Sequence, residues 1–283
     1  MLLKGLTLPM MESTKLQFKL IKRENMSVYI GIDIGSTCAK TIVMDENKQI
    51  IHRILKPTGW SSVETAQAIK EELKELSIDV EKEKVVATGY GRISVPYADK
   101  CITEISCHGK GACYLHEMED LLIIDIGGQD TKIIQVKDGS VVDFLMNDKC
   151  SAGTGRFMEI MANTLAMKPE ELCELAAQGG NTTISSLCTV FAESEVISLI
   201  GRGEPRENIA YAVIDSIASK VASQAGHINR GNMKLCLTGG LCDYTYLCKT
   251  LGEKLKTTVE SKPDGRFAGA IGAASFAVGI GEK

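Results

Sequence analysis

The 283-residue sequence predicts an α/β protein built from two similar halves. The main observation is a short stretch that occurs twice, 92 positions apart: Asp33-Ile34-Gly35-Ser36 corresponds to Asp125-Ile126-Gly127-Gly128. Each copy lies between two apolar runs, a pattern typical of a strand, a tight glycine turn and a second strand. Helical and strand patterns alternate elsewhere without a linker rich in Pro or Ser, so we expect mixed sheets in two packed lobes.

The first half continues with a helix and another strand. Ser61 and Glu64 form a capping box, which predicts a helix from Ser61 to about Leu76. Residues 84–88 are apolar enough for a strand, and they lead into a glycine-rich turn at 89–92.

The second half is richer in helices. Its hairpin is expected to extend to Val136, and a turn at 138–139 leads into a third strand at 141–146. The expected helices then span 152–165, 169–178, 189–200 and 205–225. A strand at 234–237 and a small-residue helix at 269–278 complete the chain, and we expect this last helix to return to the first lobe. We therefore predict lobe I at 26–120 plus 262–283, and lobe II at 121–261.

Residues 1–25 do not fit this pattern. Lys4, Glu12 and Lys15 interrupt their apolar stretch and no small-residue cleavage site follows, so we do not expect a secretory signal. We expect a loosely held, poorly ordered N-terminal extension or an upstream start, with the fold beginning near Met26. The alternative is an additional element at the edge of a lobe.

Composition excludes several functional classes. A formal net charge of −4 and a pI of about 5.7 argue against non-specific nucleic-acid binding. No apolar run approaches the ~18 to 20 residues that a membrane span needs. Ten cysteines without a secretory signal predict a cytoplasmic protein whose cysteines are thiols, metal ligands or redox groups rather than disulfides.

Three turns are predicted to form one nucleotide site. Gly35-Ser36-Thr37 and Gly127-Gly128-Gln129 would hold phosphates from opposite sides of a cleft through their backbone N–H groups. Thr238-Gly239-Gly240 follows a buried-looking strand, and its missing side chains would let a purine or ribose approach the backbone.

Carboxylates at the ends of the two first strands are the candidate metal ligands. Asp33 and Asp125 are expected to hold the water shell of a Mg²⁺ ion. Gln129 or Asp130 could orient an attacking water.

Each hairpin also carries a lysine at the matching place. Lys40 could neutralise phosphate charge, but Lys132 holds the same position in the other copy, and we expect both to be exposed strand residues. The sequence contains no G-x-x-x-x-G-K-[ST] motif, so it does not belong to the P-loop proteins.

Two cysteines each precede a predicted helix. Cys150 lies before the helix at 152–165, and Cys188 lies before the helix at 189–200. A helix N-terminus stabilises a thiolate or an anionic iron–sulfur cluster. A [4Fe–4S] cluster takes four thiolates, which a twofold dimer of this chain would supply on its axis. Spacing alone favours the alternative of two buried structural cysteines.

Five motifs together give a specific resemblance. They are Gly31 to Thr37, Ala87 to Arg92, Asp125 to Asp130, Asn147 to Cys150 with Ala152 to Phe157, and Cys188 to Val196. On these motifs the chain resembles the component-I activators of 2-hydroxyacyl-CoA dehydratases, a family shared with the ATPase subunits of benzoyl-CoA reductases. The resemblance covers nearly the whole chain from about Met26.

This resemblance implies a duplicated actin-like (sugar-kinase/Hsp70-like) ATPase fold with a nucleotide cleft between two lobes. It also implies a homodimer with one bridging [4Fe–4S] cluster held by Cys150 and Cys188 of each chain, with ATP or ADP and Mg²⁺ as further cofactors. Ferredoxin or flavodoxin would donate the electron. ATP binding and hydrolysis would change the lobe angle and deliver a low-potential electron to an iron–sulfur dehydratase or reductase in an anaerobic metabolism.

Three alternatives remain open at this point. The chain could be the reductase component of a double-cubane-cluster enzyme. It could be a small-molecule kinase of the sugar type on the same fold, which would need a carboxylate base near the γ-phosphate and would be colourless. It could also be a non-enzymatic scaffold that ATP switches between two states.

Overall fold

The computed structural model describes residues 27–185, 188–229 and 231–281, and they form two compact units. Unit 1 contains the described residues up to Gly111 and those from Gly269 onward, and unit 2 is Ala112–Ala268. The lobe boundaries expected at 120/121 and 261/262 stay a prediction. The extension expected at 1–25 lies outside the described residues.

Unit 1 contains a mixed five-stranded sheet. Its strands are β1 (Tyr29–Ile34), β2 (Cys38–Met44), β3 (Ile50–Pro57), β4 (Lys84–Thr88) and β5 (Lys100–Cys101). They lie in the order β3-β2-β1-β4-β5. β1 and β2 form the predicted antiparallel hairpin, β3 extends it, and β4 and β5 add parallel strands on the other side.

One helix follows β3 along the chain, and a second follows β5. α1 (Ser62–Glu75) begins as predicted, because the hydroxyl of its N-cap Ser61 accepts a hydrogen bond from the N–H of Glu64 at 3.3 Å. α2 (Glu104–His116) was not predicted, and it contains the boundary between the units. Two glycines in its sequence weaken the local helix signal.

Unit 2 repeats the sheet of unit 1 strand for strand. Its strands are β6 (Leu121–Ile126), β7 (Thr131–Lys137), β8 (Ser140–Asn147), β9 (Lys234–Gly239) and β10 (Val259–Ser261). Their order, β10-β9-β6-β7-β8, places an antiparallel three-stranded meander beside two parallel strands. The residues of the turn at 138–139 have φ values of 51° and 68°, as a tight hairpin turn requires.

The helices of unit 2 largely match the prediction. They are α3 (Gly155–Thr164), α4 (Pro169–Ala176), α5 (Thr189–Gly201), α6 (Arg206–Ala225) and α7 (Thr245–Leu255), of which α7 was not predicted. α3 begins three residues later than expected, because residues 151–154 form a turn in which Thr154 N–H donates to Ser151 O at 3.1 Å. The apolar sides of β6, β7 and β9 pack with α3, α4, α6 and α7 into one core.

The last helix, α8 (Ala268–Gly281), packs within unit 1 through small residues. A Cβ atom at Gly31 of β1 would lie 2.0 Å from Ala270 O, and one at Gly272 would lie 1.8 Å from Cys107 O. The backbones therefore touch directly, which only glycine permits at these two positions. Among the described residues, none of the helices combines the length and the apolar character needed to cross a bilayer.

Candidate functional site

The second glycine turn lies at the end of β6 and is closed by its own backbone. Gly127 N–H donates to Asp130 O at 2.9 Å. A Cβ atom at Gly127 would lie 2.3 Å from Asp130 Oδ1, so the carboxylate of Asp130 folds over the turn in space that a larger residue would fill. Gly128 is half-buried and Gln129 is exposed.

Asp125 is held in a buried charge network inside unit 2. Its Oδ2 lies 3.4 Å from Lys132 Nζ, and its Oδ1 accepts a hydrogen bond from Thr238 Oγ1 at 2.9 Å. Lys132 Nζ also lies 2.8 Å from Asp130 Oδ1. The expectation of an exposed Lys132 is wrong, since only 1% of its side chain is accessible. Its position opposite Asp125 in the β6–β7 pairing directs it into this network.

The third turn lies beside the second one. β9 runs parallel to β6 with Thr238 opposite Asp125, and Gly240 N–H donates to Ile126 O at 2.9 Å. Gly239 has a φ of +88°, and a Cβ atom there would lie 2.4 Å from Ile126 O. Glycine is therefore required at this position, and the two predicted turns of unit 2 are brought together.

The first glycine turn lies in unit 1 between β1 and β2. Gly35 N–H donates to Cys38 O at 3.1 Å, and Ser36 and Thr37 are exposed. Thr58 holds the turn, because its hydroxyl donates to Gly35 O at 2.7 Å and its N–H donates to Thr37 O at 2.9 Å. Thr58 was not predicted from the sequence, because it lies just after β3 and carries no local motif.

Asp33 is the counterpart of Asp125, and its surroundings differ. It is buried, and its Oδ1 has no hydrogen-bond partner among the described residues. A Cβ atom at Gly89 would lie 2.4 Å from Oδ1, and one at Gly269 would lie 2.6 Å from Oδ2. A buried carboxylate oxygen without a donor is costly unless a water or ion binds it, so this residue fits the predicted hydrated Mg²⁺.

The duplication extends beyond the two hairpins that were predicted. Thr88-Gly89 lies opposite Asp33 on the parallel strand β4, just as Thr238-Gly239 lies opposite Asp125 on β9. Gly89 and Gly239 have φ values of +84° and +88°. The Thr-Gly dipeptide that occurs at both positions is the feature of the sequence that could have predicted this correspondence. Lys40, the counterpart of Lys132, is half-buried rather than exposed.

The two predicted cluster cysteines lie on neighbouring segments of unit 2. Ser151 follows Cys150, and Thr189 follows Cys188. The hydroxyl oxygens of Ser151 and Thr189 are hydrogen-bonded at 2.7 Å. Cys188 is the exposed N-cap of α5, as predicted. Cys150 is half-buried and lies four residues before Thr154, the N-cap of α3, so its predicted place at a helix start is wrong.

Four of the eight other cysteines, Cys107, Cys173, Cys236 and Cys242, are buried. Burial raises the pKa of the Cys107 and Cys242 thiols to about 12. It also raises the pKa of Cys173, Cys236 and Cys248. A metal ligand must be a thiolate, so these five are poor candidates.

An apolar surface begins next to Cys188. The side chains of Val190 and Phe191 on α5 are each 67% exposed, and Ile197 and Ile200 further along the helix are also exposed. Several exposed apolar side chains on one helix are typical of a protein interface.

Comparison with known proteins defines the class to which this architecture belongs. The family model described as the BadF/BadG/BcrA/BcrD ATPase family matches residues 30–277. The chain is 40% identical over 259 residues to the (R)-2-hydroxyglutaryl-CoA dehydratase activating ATPase of Acidaminococcus fermentans, covering 89% of this chain and 98% of that protein. It is also 31% identical to a benzoyl-CoA reductase subunit of Thauera aromatica, covering 91% and 95% of the two chains.

Solved structures agree with this assignment. The activator of the 2-hydroxyisocaproyl-CoA dehydratase from Clostridium difficile with bound ADPNP superposes with a TM-score of 0.83 at 34% identity, covering 90% of this chain and 96% of that one. A ROK family glucokinase from Streptomyces griseus shares the fold alone, at 15% identity and a TM-score of 0.58. The predicted duplicated actin-like α/β fold is confirmed. The chain belongs to the BadF/BadG/BcrA/BcrD ATPase family.

Proposed function

We propose that this chain is an ATP-dependent reductive activator. Two copies form a homodimer that holds one [4Fe–4S] cluster between Cys150 and Cys188 of each copy. The dimer couples ATP hydrolysis to the transfer of one low-potential electron to a partner iron–sulfur enzyme. The proposal rests on one observation above all, the placement of these two cysteines on adjoining surface segments of unit 2.

The geometry of the two segments supports a shared ligand. Cys150 and Cys188 are 38 positions apart in sequence, but each directly precedes one of two residues whose hydroxyls are hydrogen-bonded. These residues are Ser151 and Thr189, and their oxygen atoms are 2.7 Å apart. Consecutive Cα atoms are ~3.8 Å apart, so the two cysteine backbones start close together. Asn147 Nδ2 donates to Cys150 O at 2.9 Å and fixes the backbone that presents this thiol.

The donor set fits an anionic cluster. Cys188 caps α5 without forming a side-chain hydrogen bond to the first turn, which leaves the N-terminal N–H groups and the helix dipole to stabilise negative charge. Two thiolates per chain are half of what a [4Fe–4S] cluster takes, and a twofold axis supplies the other half. Such a cluster would supply one-electron transfer.

The surface around the cysteines fits a second copy. The exposed apolar residues of α5 start two positions after Cys188. On β8, Val142, Phe144 and Met146 share one face of the edge strand and are also exposed, and this strand leads to Cys150. Covering both apolar surfaces in a homodimer would bring the four cysteines to the axis.

The nucleotide part of the proposal rests on the glycine turns and on the family. The turns at 127–129 and 238–240 adjoin in unit 2, and the turn at 35–37 ends the matching strand of unit 1. Asp33 has the unpartnered oxygen suited to the water shell of Mg²⁺. Lys132 offsets one of the two negative charges of Asp125 and Asp130, and these residues together with Gln129 are proposed to orient groups at the phosphates. A related activator binds ADPNP.

The partner is proposed from the relatives. Their names identify activators of 2-hydroxyacyl-CoA dehydratases and a benzoyl-CoA reductase subunit, so the electron acceptor is an iron–sulfur dehydratase or reductase. A double-cubane-cluster reductase is an alternative acceptor. Ferredoxin or flavodoxin is the proposed electron donor, because both carry single electrons at low potential.

The deciding experiment measures iron and acid-labile sulfide per dimer on protein purified without oxygen. We expect about four irons per dimer for wild type, since one [4Fe–4S] cluster bridges two chains. Cys150→Ser and Cys188→Ser should each abolish bound iron while ATP binding persists.

Cys101→Ser is the matched control, because Cys101 is also exposed but lies in unit 1. It should keep the full iron content. Retention of iron in either Cys150→Ser or Cys188→Ser would refute the ligand assignment. A colourless wild-type protein that resists anaerobic reconstitution and phosphorylates a small molecule would support the kinase alternative instead.

A further inference from the structure

The second glycine turn is bonded directly to the helix that follows Cys150. Gly155 N–H donates to Gly127 O at 3.0 Å, and Arg156 N–H donates to Gly128 O at 2.8 Å. These are first-turn N–H groups of α3, which have no partner within the helix. A Cβ atom at Gly155 would lie 3.2 Å from Gly127 O, so the helix start and the turn are in close contact.

A buried threonine adds a third link. Thr131 is the first residue of β7, and its hydroxyl donates to Gly153 O at 2.8 Å. Gly153 has a φ of +83°, and a Cβ atom there would lie 3.0 Å from Lys220 Cγ. The segment is therefore hydrogen-bonded to β7 and in close contact with α6.

This link is specific to the half of the molecule that contains the cysteines. Thr131 pairs with Ile126 in the second hairpin, and the equivalent position in the first hairpin is Ala39, which pairs with Ile34. Ala39 has no hydroxyl. The threonine is thus not a requirement of the hairpin itself.

The hydrogen bonds continue from α3 to both cysteines. Thr154 Oγ1 donates to Ser151 O at 2.6 Å, which connects the helix N-cap to the residue after Cys150. Ser151 Oγ then meets Thr189 Oγ1, the residue after Cys188. Every step from the turn to Cys188 is a direct contact between described residues of unit 2.

The planar peptide unit explains how a phosphate would act on this chain of contacts. The C=O of Gly127 and the N–H of Gly128 belong to one rigid plane and point in opposite directions. An anion bound by the N–H polarises and reorients the unit whose C=O holds Gly155. The same holds for the next peptide unit, in which the C=O of Gly128 accepts from Arg156 N–H and the N–H of Gln129 points the opposite way.

We propose that Thr131 and Thr189 are positioning residues that transmit the nucleotide state of the turn at 127–130 to the segments that carry Cys150 and Cys188. The inference rests on the proposed function, since it takes the turn as a phosphate site and the two cysteines as ligands. Thr131 ties the turn to the Cys150 segment, and Thr189 extends the connection to the Cys188 segment.

Hydrogen–deuterium exchange of the full-length dimer with Mg·AMPPNP or Mg·ADP tests the inference. In wild type the two nucleotides should give different exchange at 127–130, 147–156 and 188–192. Thr131→Val should keep the difference at 127–130 and reduce it at 147–156 and 188–192, because the bonds from Gly155 and Arg156 to the turn remain. Thr189→Val should lose it only at 188–192. Nucleotide affinity should change less than ~3-fold, because neither hydroxyl donates to the turn.

Serine variants and a distant threonine separate transmission from general damage. Thr131→Ser and Thr189→Ser keep the hydroxyl and should restore the response. Thr250→Val removes a buried hydroxyl that donates to Tyr246 O within α7, and it should behave as wild type. The EPR spectrum of the reduced cluster should also differ between the two nucleotides. This spectral difference should be reduced in Thr131→Val and Thr189→Val and should be retained in the serine variants and in Thr250→Val.

The outcomes distinguish the inference from the function on which it rests. The inference would be overturned if Thr131→Val and Thr189→Val showed the same exchange differences as wild type. It would also be overturned if the wild-type protein showed a difference only at 127–130. Neither result would contradict a measured cluster. A chain that holds no iron but transmits the response to 188–192 would support the inference and refute the cluster.

Discussion

The two hairpins of this protein have the same backbone arrangement, but the aspartate at the end of the first strand has different contacts in each. Asp33 and Asp125 occupy the same register, each opposite a lysine and beside a Thr-Gly dipeptide. Asp125 has both oxygens engaged, by Lys132 and Thr238. Asp33 has one buried oxygen without a partner among the described residues.

The threonines account for part of this difference. Thr238 Oγ1 donates to Asp125, whereas Thr88 Oγ1 turns away from Asp33 and donates to Ile102 O at 2.9 Å. The duplicated backbone therefore constrains where each carboxylate lies, and neighbouring side chains decide whether it is free to bind an ion. We infer that Asp33 is the main holder of hydrated Mg²⁺ and that Asp125 is a preset part of the turn.

The largest expected effect is on catalysis by Asp33. Asp33→Asn should lower ATPase activity by ~100-fold or more, because it removes the charge that would hold the hydrated metal at the phosphates. Folding stability and bound iron should stay near wild type, since no protein donor is lost. Steady-state ATPase assays across a Mg²⁺ titration, with Glu46→Gln as an exposed control, measure this. Normal turnover would refute the metal role of Asp33.

Asp125→Asn should act differently and thereby sharpen the comparison. It should also lower ATPase activity, and it removes one of the two carboxylates beside the buried Lys132, so the free energy of unfolding should fall as well. Parallel activity and urea-unfolding measurements separate the two aspartates. Equal stability of Asp33→Asn and Asp125→Asn would contradict the inferred difference.

The next effect concerns the lysines. Lys132→Met removes the cation from a buried network of two carboxylates, and it should lower the free energy of unfolding by ~3–5 kcal/mol. Lys40→Met is the matched substitution at the half-buried equivalent position and should cost less than ~1 kcal/mol. Urea unfolding monitored by circular dichroism gives both values. Similar losses in both variants would show that the two sites are equivalent after all.

The smallest effect concerns the two threonines. Thr238→Val removes a hydrogen bond to a carboxylate and should cost ~1.5–3 kcal/mol, whereas Thr88→Val removes one to a neutral carbonyl and should cost ~0.5–1.5 kcal/mol. Differential unfolding of the two variants measures the gap. A larger loss in Thr88→Val would contradict the inferred difference between the two threonines.

Local and repeated signals explain what could be predicted. The glycine turns, the capping box at Ser61 and the strand at 84–88 were predicted with the right residues, because a turn, a cap and a strand depend on neighbours in sequence. The helix α2 was missed, since it contains glycines and is stabilised by packing, as the contact of Cys107 O with Gly272 shows.

The sequence by itself determined the duplicated turns, the candidate aspartates and the two candidate cysteines, because repetition and short motifs are visible without a structure. Only the tertiary structure decided that Lys132 is buried, that Thr88 turns away from Asp33, and that Ser151 joins Thr189. Each of these facts depends on which residues distant in sequence meet across a sheet or between helices. Burial and hydrogen-bond partners are properties of that packing, which no local pattern specifies.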